Sequence, residues 1–148
     1  MRRGKMSLAF ALIDLDNFKS VNDTYVHPIG DQVLNTMSSL LKQRLRMTDL
    51  IGRYGGEEFA VALPDVSPSN AMLVLDKVRE AFADIKQMYN GGKFYVSLSC
   101  GVVMIPDFDD VPALTEAANR ALYKAKTKGR NRVVLAVPPA ASESAKSS

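Results

Sequence analysis

Four acidic residues stand where carboxylates can act on a phosphorylated substrate. Asp14 and Asp16 mark the end of the apolar run Ser7 to Ile13, and Glu57-Glu58 follow Gly55-Gly56 and precede the apolar run Phe59 to Leu63. If those two runs are neighbouring strands, Asp14 and the glutamate pair converge at one sheet edge. Carboxylates held that close repel one another unless a cation neutralises them. Magnesium suits the case where a phosphorylated substrate brings further oxygens, because it needs only one or two protein carboxylates. Two such ions can clamp the attacking and leaving oxygens of an in-line displacement. The same spacing fits solvated acids at strand ends, and spacing alone leaves both readings open.

The elements that must position these acids are legible in the periodicity. Ser7 to Ile13 reads as a strand covered on both faces. A short helix is predicted over Phe18 to Tyr25, broken near His27-Pro28. A longer one is predicted over Asp31 to Arg44, with Leu34, Met37 and Leu41 at helical spacing. Asp49 to Tyr54 and Phe59 to Leu63 form a β-hairpin through Gly55-Gly56. Ser67 caps and Pro68 opens a helix whose apolar stripe, Ala71, Leu75, Val78, Phe82, Ile85 and Tyr89, extends it to Tyr89. A turn at Asn90-Gly91-Gly92 leads to a long strand, Phe94 to Ile105. A helix from Asp110-Pro112 to about Lys128 is stopped by Gly129, and Arg132 to Val137 is the last strand. This order implies an α+β fold, a central mixed, mainly antiparallel sheet flanked by helices. Residues 1–137 read as one domain and 138–148, rich in Pro, Ala and Ser, as a disordered tail.

Bulk properties narrow the function classes. A formal charge of +3 on 148 residues suits an anionic small ligand and is too small and too evenly spread for a nucleic acid polymer. The only cysteine, Cys100, excludes a disulfide framework and reads as an inert core residue in a reducing compartment. Arg2, Arg3 and Lys5 before an apolar stretch imitate an export signal, but Asp14 and Asp16 interrupt it and no cleavage site follows. No segment is long enough to span a bilayer, so the expectation is a cytoplasmic protein without membrane contact of its own.

Several blocks together carry a family resemblance. Arg53-Tyr54-Gly55-Gly56-Glu57-Glu58-Phe59 follows Asp14-Leu15-Asp16-Asn17-Phe18-Lys19, Asn22-Asp23, His27 and Gly30-Asp31. Downstream stand Ser97-Leu98-Ser99-Cys100-Gly101, and Ala121-Leu122-Tyr123-Lys124-Ala125-Lys126 through Gly129-Arg130-Asn131. In this order they closely resemble the GGDEF family of diguanylate cyclases, here in the GGEEF form, over roughly residues 7–135. The resemblance implies the palm fold of nucleotidyl cyclases and condensation of two GTP into cyclic di-GMP with release of two pyrophosphates. It implies two magnesium ions per active site, with manganese as a substitute, held by Asp14, Glu57 and the Leu15 carbonyl. Glu58 would serve as metal ligand or base. Asn22 and Asp31 would bond the guanine edge, since a carboxylate can accept from N1–H and the exocyclic amine together. Lys126, Arg130 and Lys19 would neutralise the triphosphate, while Gly55 and Gly56 let the backbone approach it. His27 falls in the same substrate-binding set, although it has no visible partner in the sequence. Without the resemblance, Lys126 and Arg130 are also explained by the preference for cations at a helix C-terminus.

Arg46-Met47-Thr48-Asp49 has the RxxD form of the family's inhibitory site for product, with five residues between Asp49 and Gly55. Arginine pairs with phosphate and stacks on guanine, and aspartate accepts from guanine donors. Arg79 is a further candidate there, contributed by a partner subunit. Departures from the family are Val26 where glycine is usual, Asn119 where aspartate is frequent, and no DxLTGLxNRR block ahead of the first strand, which reads as an N-terminal truncation. The leading expectation is a product-inhibited cyclase working as a homodimer, each subunit presenting one GTP. The alternatives are a catalytically weak module sensing cyclic di-GMP or GTP, and a palm-type cyclase with another nucleotide product.

Overall fold

The computed structural model describes residues 7–24, 27–89, 91–105 and 111–137. In chain order the elements are β1 (Leu8–Leu15), α1 (Phe18–Thr24), α2 (His27–Arg44), β2 (Leu50–Arg53), β3 (Glu58–Pro64), α3 (Pro68–Ala83), β4 (Gln87–Tyr89), β5 (Gly92–Phe94), β6 (Leu98–Ile105), α4 (Val111–Thr127) and β7 (Arg132–Leu135). Five strands form one sheet in the order β2-β3-β1-β6-β7, while β4 and β5 pair as a separate hairpin. Every pairing in the large sheet is antiparallel except β6 with β7, which α4 connects as a parallel crossover. The expected mixed, mainly antiparallel sheet with flanking helices is therefore the observed one.

Both faces of the sheet are covered, and alternation along β1 assigns each residue to a layer. Ala9, Ala11, Ile13 and Leu15 join the larger core with Phe59, Val61 and Leu63 of β3, Cys100 and Val102 of β6, and the apolar stripes of α2 and α3. Leu12 points the other way, to a smaller core with Val103 and with Ala117, Ala118 and Leu122 of α4. Covering on both sides is why β1 reads as a continuous apolar run.

The seat of α4 depends on one residue. A Cβ at Gly101 would lie 2.4 Å from the Leu122 nitrogen and 2.5 Å from the Ala118 carbonyl oxygen. The helix backbone thus rests directly on β6, with Ala118, Ala121, Leu122 and Ala125 buried beneath it. No flexible side chain can yield there, so an added methyl must move the helix itself.

Three elements differ from the periodicity reading. The third helix ends at Ala83, where the Asp84 N–H bonds back to the last carbonyls, and does not reach Tyr89. Ile85 still packs on the core from the chain beyond the helix, and Tyr89 lies in β4. Their helical spacing is coincidental, because a short hairpin supplies the same apolar positions. The expected strand Phe94 to Ile105 is split: Phe94 closes β5, and residues 95–97 bridge to β6. α2 starts at His27, four residues before the expected Asp31, because Pro28 is tolerated in a first helical turn, where its missing N–H has no partner to lose. Val26 and the tail 138–148 lie outside the described residues.

Gly101→Ala is expected to lower stability by about 1–3 kcal/mol and to loosen α4. Urea unfolding reads the first effect and amide exchange along 111–127 the second. A variant with unchanged stability and exchange would refute direct seating of the helix on β6.

Candidate active site

A row of polar side chains crosses the α4 face of the sheet where the apolar residues stop. In the strand register Asp14 stands opposite Glu58 of β3 on one side and Ser99 of β6 on the other. Asp14 is only 2% exposed, at the C-terminal end of the central strand. The ammonium of Lys126, in the last turn of α4, pairs with its Oδ2. Because α4 crosses β6 at Gly101, its C-terminal turn reaches the end of β1.

Asp14 Oδ1 is buried and receives no hydrogen bond from the described residues. An uncompensated buried acceptor is costly, and a cation or donor at this atom would offset that cost. Burial raises the pKa of Glu57 above the ordinary glutamate range, as do its side-chain hydrogen bond with Asp14 and the negative charge of Asp14. Lys126 opposes that rise and Glu58 adds to it. Glu58 is raised as well, first by burial and then by the charge of Asp14, with Lys126 again opposing. Three acids thus crowd around one ammonium. Among the described residues no three His, Cys, Asp or Glu side chains form a closed metal cage. A hard cation that keeps several water or phosphate ligands needs no such cage. The orphaned Asp14 Oδ1 and the crowded glutamates fit such an ion.

The turn that carries the glutamates is closed by its own bonds. The Tyr54 N–H donates to the Glu58 carbonyl at 2.8 Å, and Arg53 Nη2 donates to the Gly56 carbonyl at 2.7 Å. The Arg53 guanidinium lies 5.2 Å from the centre of the Phe59 ring, a cation–π contact that holds it along the hairpin. Gly55 has φ of +144°, a conformation side-chain-bearing residues rarely adopt. The Glu57 carbonyl accepts from the Leu15 N–H at 3.3 Å, tying this turn to β1.

The other residues singled out in the sequence occupy several places. Asp31 is exposed on α2 and Lys19 on α1. Asp31 lies at an open cavity along α2 that is lined by Gln32, Asn35, Thr36, Ser39, Leu40 and Gln43, with Ile85 beyond the third helix. Arg130 is exposed just beyond α4 with φ of +63°. The side chains of Asn22 and His27 lie outside the described residues. Asn119 is exposed on α4.

Arg46 and Asp49 bind each other: Arg46 Nη2 donates to Asp49 Oδ1 at 2.7 Å, and the Arg46 N–H donates to Oδ2 at 2.7 Å. Arg46 Nη2 also donates to the Pro64 carbonyl at 2.7 Å. The hydrogen bond from Arg46 to Asp49 raises the arginine pKa further. Arg79 is engaged elsewhere, donating to Asp76 at 2.7 Å and to Asn131 Oδ1 at 3.0 Å.

Asp16 was legible only as a strand-end acid. Its carboxylate instead accepts from the Ser97 and Ser99 hydroxyls, both at 2.6 Å, and from the Asn131 N–H at 2.9 Å. The signal for the serines was Ser97-Leu98-Ser99, whose period of two puts both hydroxyls on one side. Nothing local marks Asn131 as their partner.

The chain matches the family described as "Diguanylate cyclase, GGDEF domain" over residues 1–132. The chain belongs to this family. It is 42% identical over 132 residues to Diguanylate cyclase A of Treponema denticola, covering 88% of this chain and 36% of that protein. The GGDEF chain thus spans about a third of the length of that curated relative. Among solved structures, the GGDEF domain of DgcB from Caulobacter crescentus, in complex with c-di-GMP, superposes with a TM-score of 0.84 at 29% identity, covering 88% of this chain and 78% of that one. The active GGEEF domain of a diguanylate cyclase from Vibrio cholerae gives 0.81 at 31% identity, covering 88% and 83%. Diguanylate cyclases of this family are generally dependent on a divalent metal.

The raised Glu57 pKa sets a pH dependence in metal-free buffer. Between the ordinary and the raised value the folded GGDEF domain holds a proton that the unfolded chain has lost, so Glu57 costs stability as pH rises through that window. Glu57→Gln has no proton to lose. The Tm of this variant minus that of wild type should therefore grow with pH across the window and then level off, read by calorimetry in chelator. A difference that shrinks with pH would contradict the crowding of acids around Asp14.

Proposed function

We propose that this domain condenses two GTP molecules into cyclic di-GMP, with the carboxylate row at Asp14, Glu57 and Glu58 as the reaction centre. The observation that carries the reading is the buried, orphaned Asp14 Oδ1 beside two glutamates whose proton affinity is raised. Asp14, Glu57 and the Leu15 carbonyl would hold two magnesium ions, with manganese as a substitute. When bound, these ions supply charge neutralisation for a triphosphate and its pentavalent transition state.

The protein's own residues have separate tasks. Lys126, now on Asp14, is positioned to follow negative charge from the carboxylate to a phosphate as substrate enters. Arg130 and Lys19 add positive charge from the turn after α4 and from α1. Gly55 and Gly56, exposed at the hairpin tip, let backbone amides approach phosphate oxygens. Asn22 and Asp31 recognise guanine, with His27 nearby on the same segment.

The chemistry is an in-line displacement at the α-phosphorus. The 3′ oxygen of one GTP forms the new P–O bond, and the bond to the bridging oxygen of pyrophosphate breaks. The proton of the 3′ hydroxyl passes to a base, for which Glu58 is the candidate. Two such displacements close the ring, so two domains, each holding one GTP, must face one another as a homodimer. Orientation and electrostatics supply the acceleration. Such a domain works in the cytoplasm, where GTP and magnesium occur together. No helix among the described residues is long and apolar enough to cross a membrane.

Product control is assigned to Arg46 and Asp49, with Arg79 from a partner subunit. The mutual pairing of Arg46 and Asp49 holds both groups in place before any ligand arrives, which lowers the ordering cost of binding.

Purified protein incubated with GTP and magnesium should yield cyclic di-GMP, identified by mass and chromatography, and ATP should yield no cyclic dinucleotide. Asp14→Ala and Glu57→Ala should each reduce turnover at least about 100-fold while remaining folded by circular dichroism. Near-normal turnover in either variant would remove the carboxylate row from the mechanism. Arg46→Ala should weaken cyclic di-GMP binding about tenfold or more in calorimetric titration; unchanged affinity would refute the inhibitory-site assignment.

A further inference from the structure

We propose that Asp16 is a positioning residue: its carboxylate holds the turn after α4 in the strained shape that presents Arg130 to the substrate triphosphate. This inference rests on the phosphate role proposed for Arg130. Asp16 is 5% exposed. A carboxylate has acceptors only, and here they take three donors from two separate segments. Ser97 immediately precedes β6, Ser99 lies near its start, and Asn131 comes from the turn after α4. The Asp16 N–H also donates to the Ser97 carbonyl at 2.9 Å. Asp16 is therefore a single joint between the end of β1, the start of β6 and the entry to β7.

That turn needs such a joint. Arg130 and Asn131 are consecutive non-glycine residues with φ of +63° and +48°. The left-handed region is unfavourable for residues with a Cβ and persists where surrounding bonds hold it. Four bonds do so here. Asn131 N–H donates to Asp16 Oδ2, Arg130 N–H donates to the Ala125 carbonyl, Arg132 Nε donates to the Arg130 carbonyl, and Arg79 Nη1 donates to Asn131 Oδ1. Of these four, only the Asp16 bond ties the turn to the strand that carries Asp14.

Asparagine provides a discriminating variant. Serine hydroxyls can turn to accept, but a backbone N–H cannot. With its Nδ2 toward Ser99, an asparagine at this place still offers Oδ1 to Ser97 and Asn131. Asp16→Asn should thus keep the turn, and Asp16→Ala should lose it. Asp16→Ser, short of Asn131 but still polar between the two serines, replaces the alanine variant if that one does not fold.

In wild type, amide exchange at Asn131 should be slow. It should rise about 10- to 100-fold in Asp16→Ala and stay near the wild-type rate in Asp16→Asn. In steady-state assays with GTP, Asp16→Ala should raise KM by about tenfold. Its loss should be non-additive with that of Arg130→Ala, and Asp16→Asn should restore most of it. Additive losses, or unchanged Asn131 exchange in Asp16→Ala, would overturn the positioning role. A wild-type control that makes no cyclic di-GMP would count against the proposed activity instead, and the exchange measurement, which needs no turnover, would still decide the role of Asp16.

Discussion

A carboxylate buried at the end of the central strand governs the arrangement of this domain. Asp14 is almost wholly withdrawn from solvent, and a charge so placed must be neutralised or accept its desolvation cost. Lys126 supplies one compensating charge, but only because α4 lies close enough to bring its last turn over β1. That closeness depends on the missing side chain at Gly101, where helix backbone and strand meet without an intervening Cβ. Packing and electrostatics are thus linked: the helix seat determines whether the buried charge has a partner.

The compensation is incomplete, and the incompleteness gives the site its chemistry. Among the described residues one ammonium faces three carboxyl groups, which leaves Asp14 Oδ1 without a donor there and both glutamates with raised proton affinity. A purely structural ion pair is more stable when fully satisfied. Here the local imbalance favours arrival of further positive charge, the condition under which a triphosphate can be held. Asp16, two residues on, shows the contrast. Its carboxylate is saturated by three donors and serves to join segments.

The cationic side of the site is built on less regular structure. Arg130 and Asn131 occupy left-handed backbone immediately after a helix, held by bonds from the turn after β1, from α3 and from α4. Arg46 is bonded to Asp49 and to the end of β3. Arginines fixed by neighbours in this way lose less freedom when they meet an anion.

Much of this was open to the sequence alone. The apolar run of β1 and the Gly-Gly turn ahead of Glu57-Glu58 are local patterns with local physical causes, as is the stop of α4 at Gly129. The ordered motif blocks indicated the family, and with it the sheet. The extension of α3 to Tyr89 failed because spacing reports which residues are apolar and not which backbone carries them, so a hairpin and a helix look alike there. What only the tertiary structure decided is which acids meet. Asp14 and Asp16 are equivalent in sequence, two carboxylates at one strand end. Strand register places Asp14 between Glu58 and Ser99 beneath Lys126, while the turn after β1 delivers Asp16 to Ser97, Ser99 and Asn131. Partners distant in sequence, for Asp16 two serines more than 80 residues away, give the two acids their different roles, and no local pattern encodes such contacts.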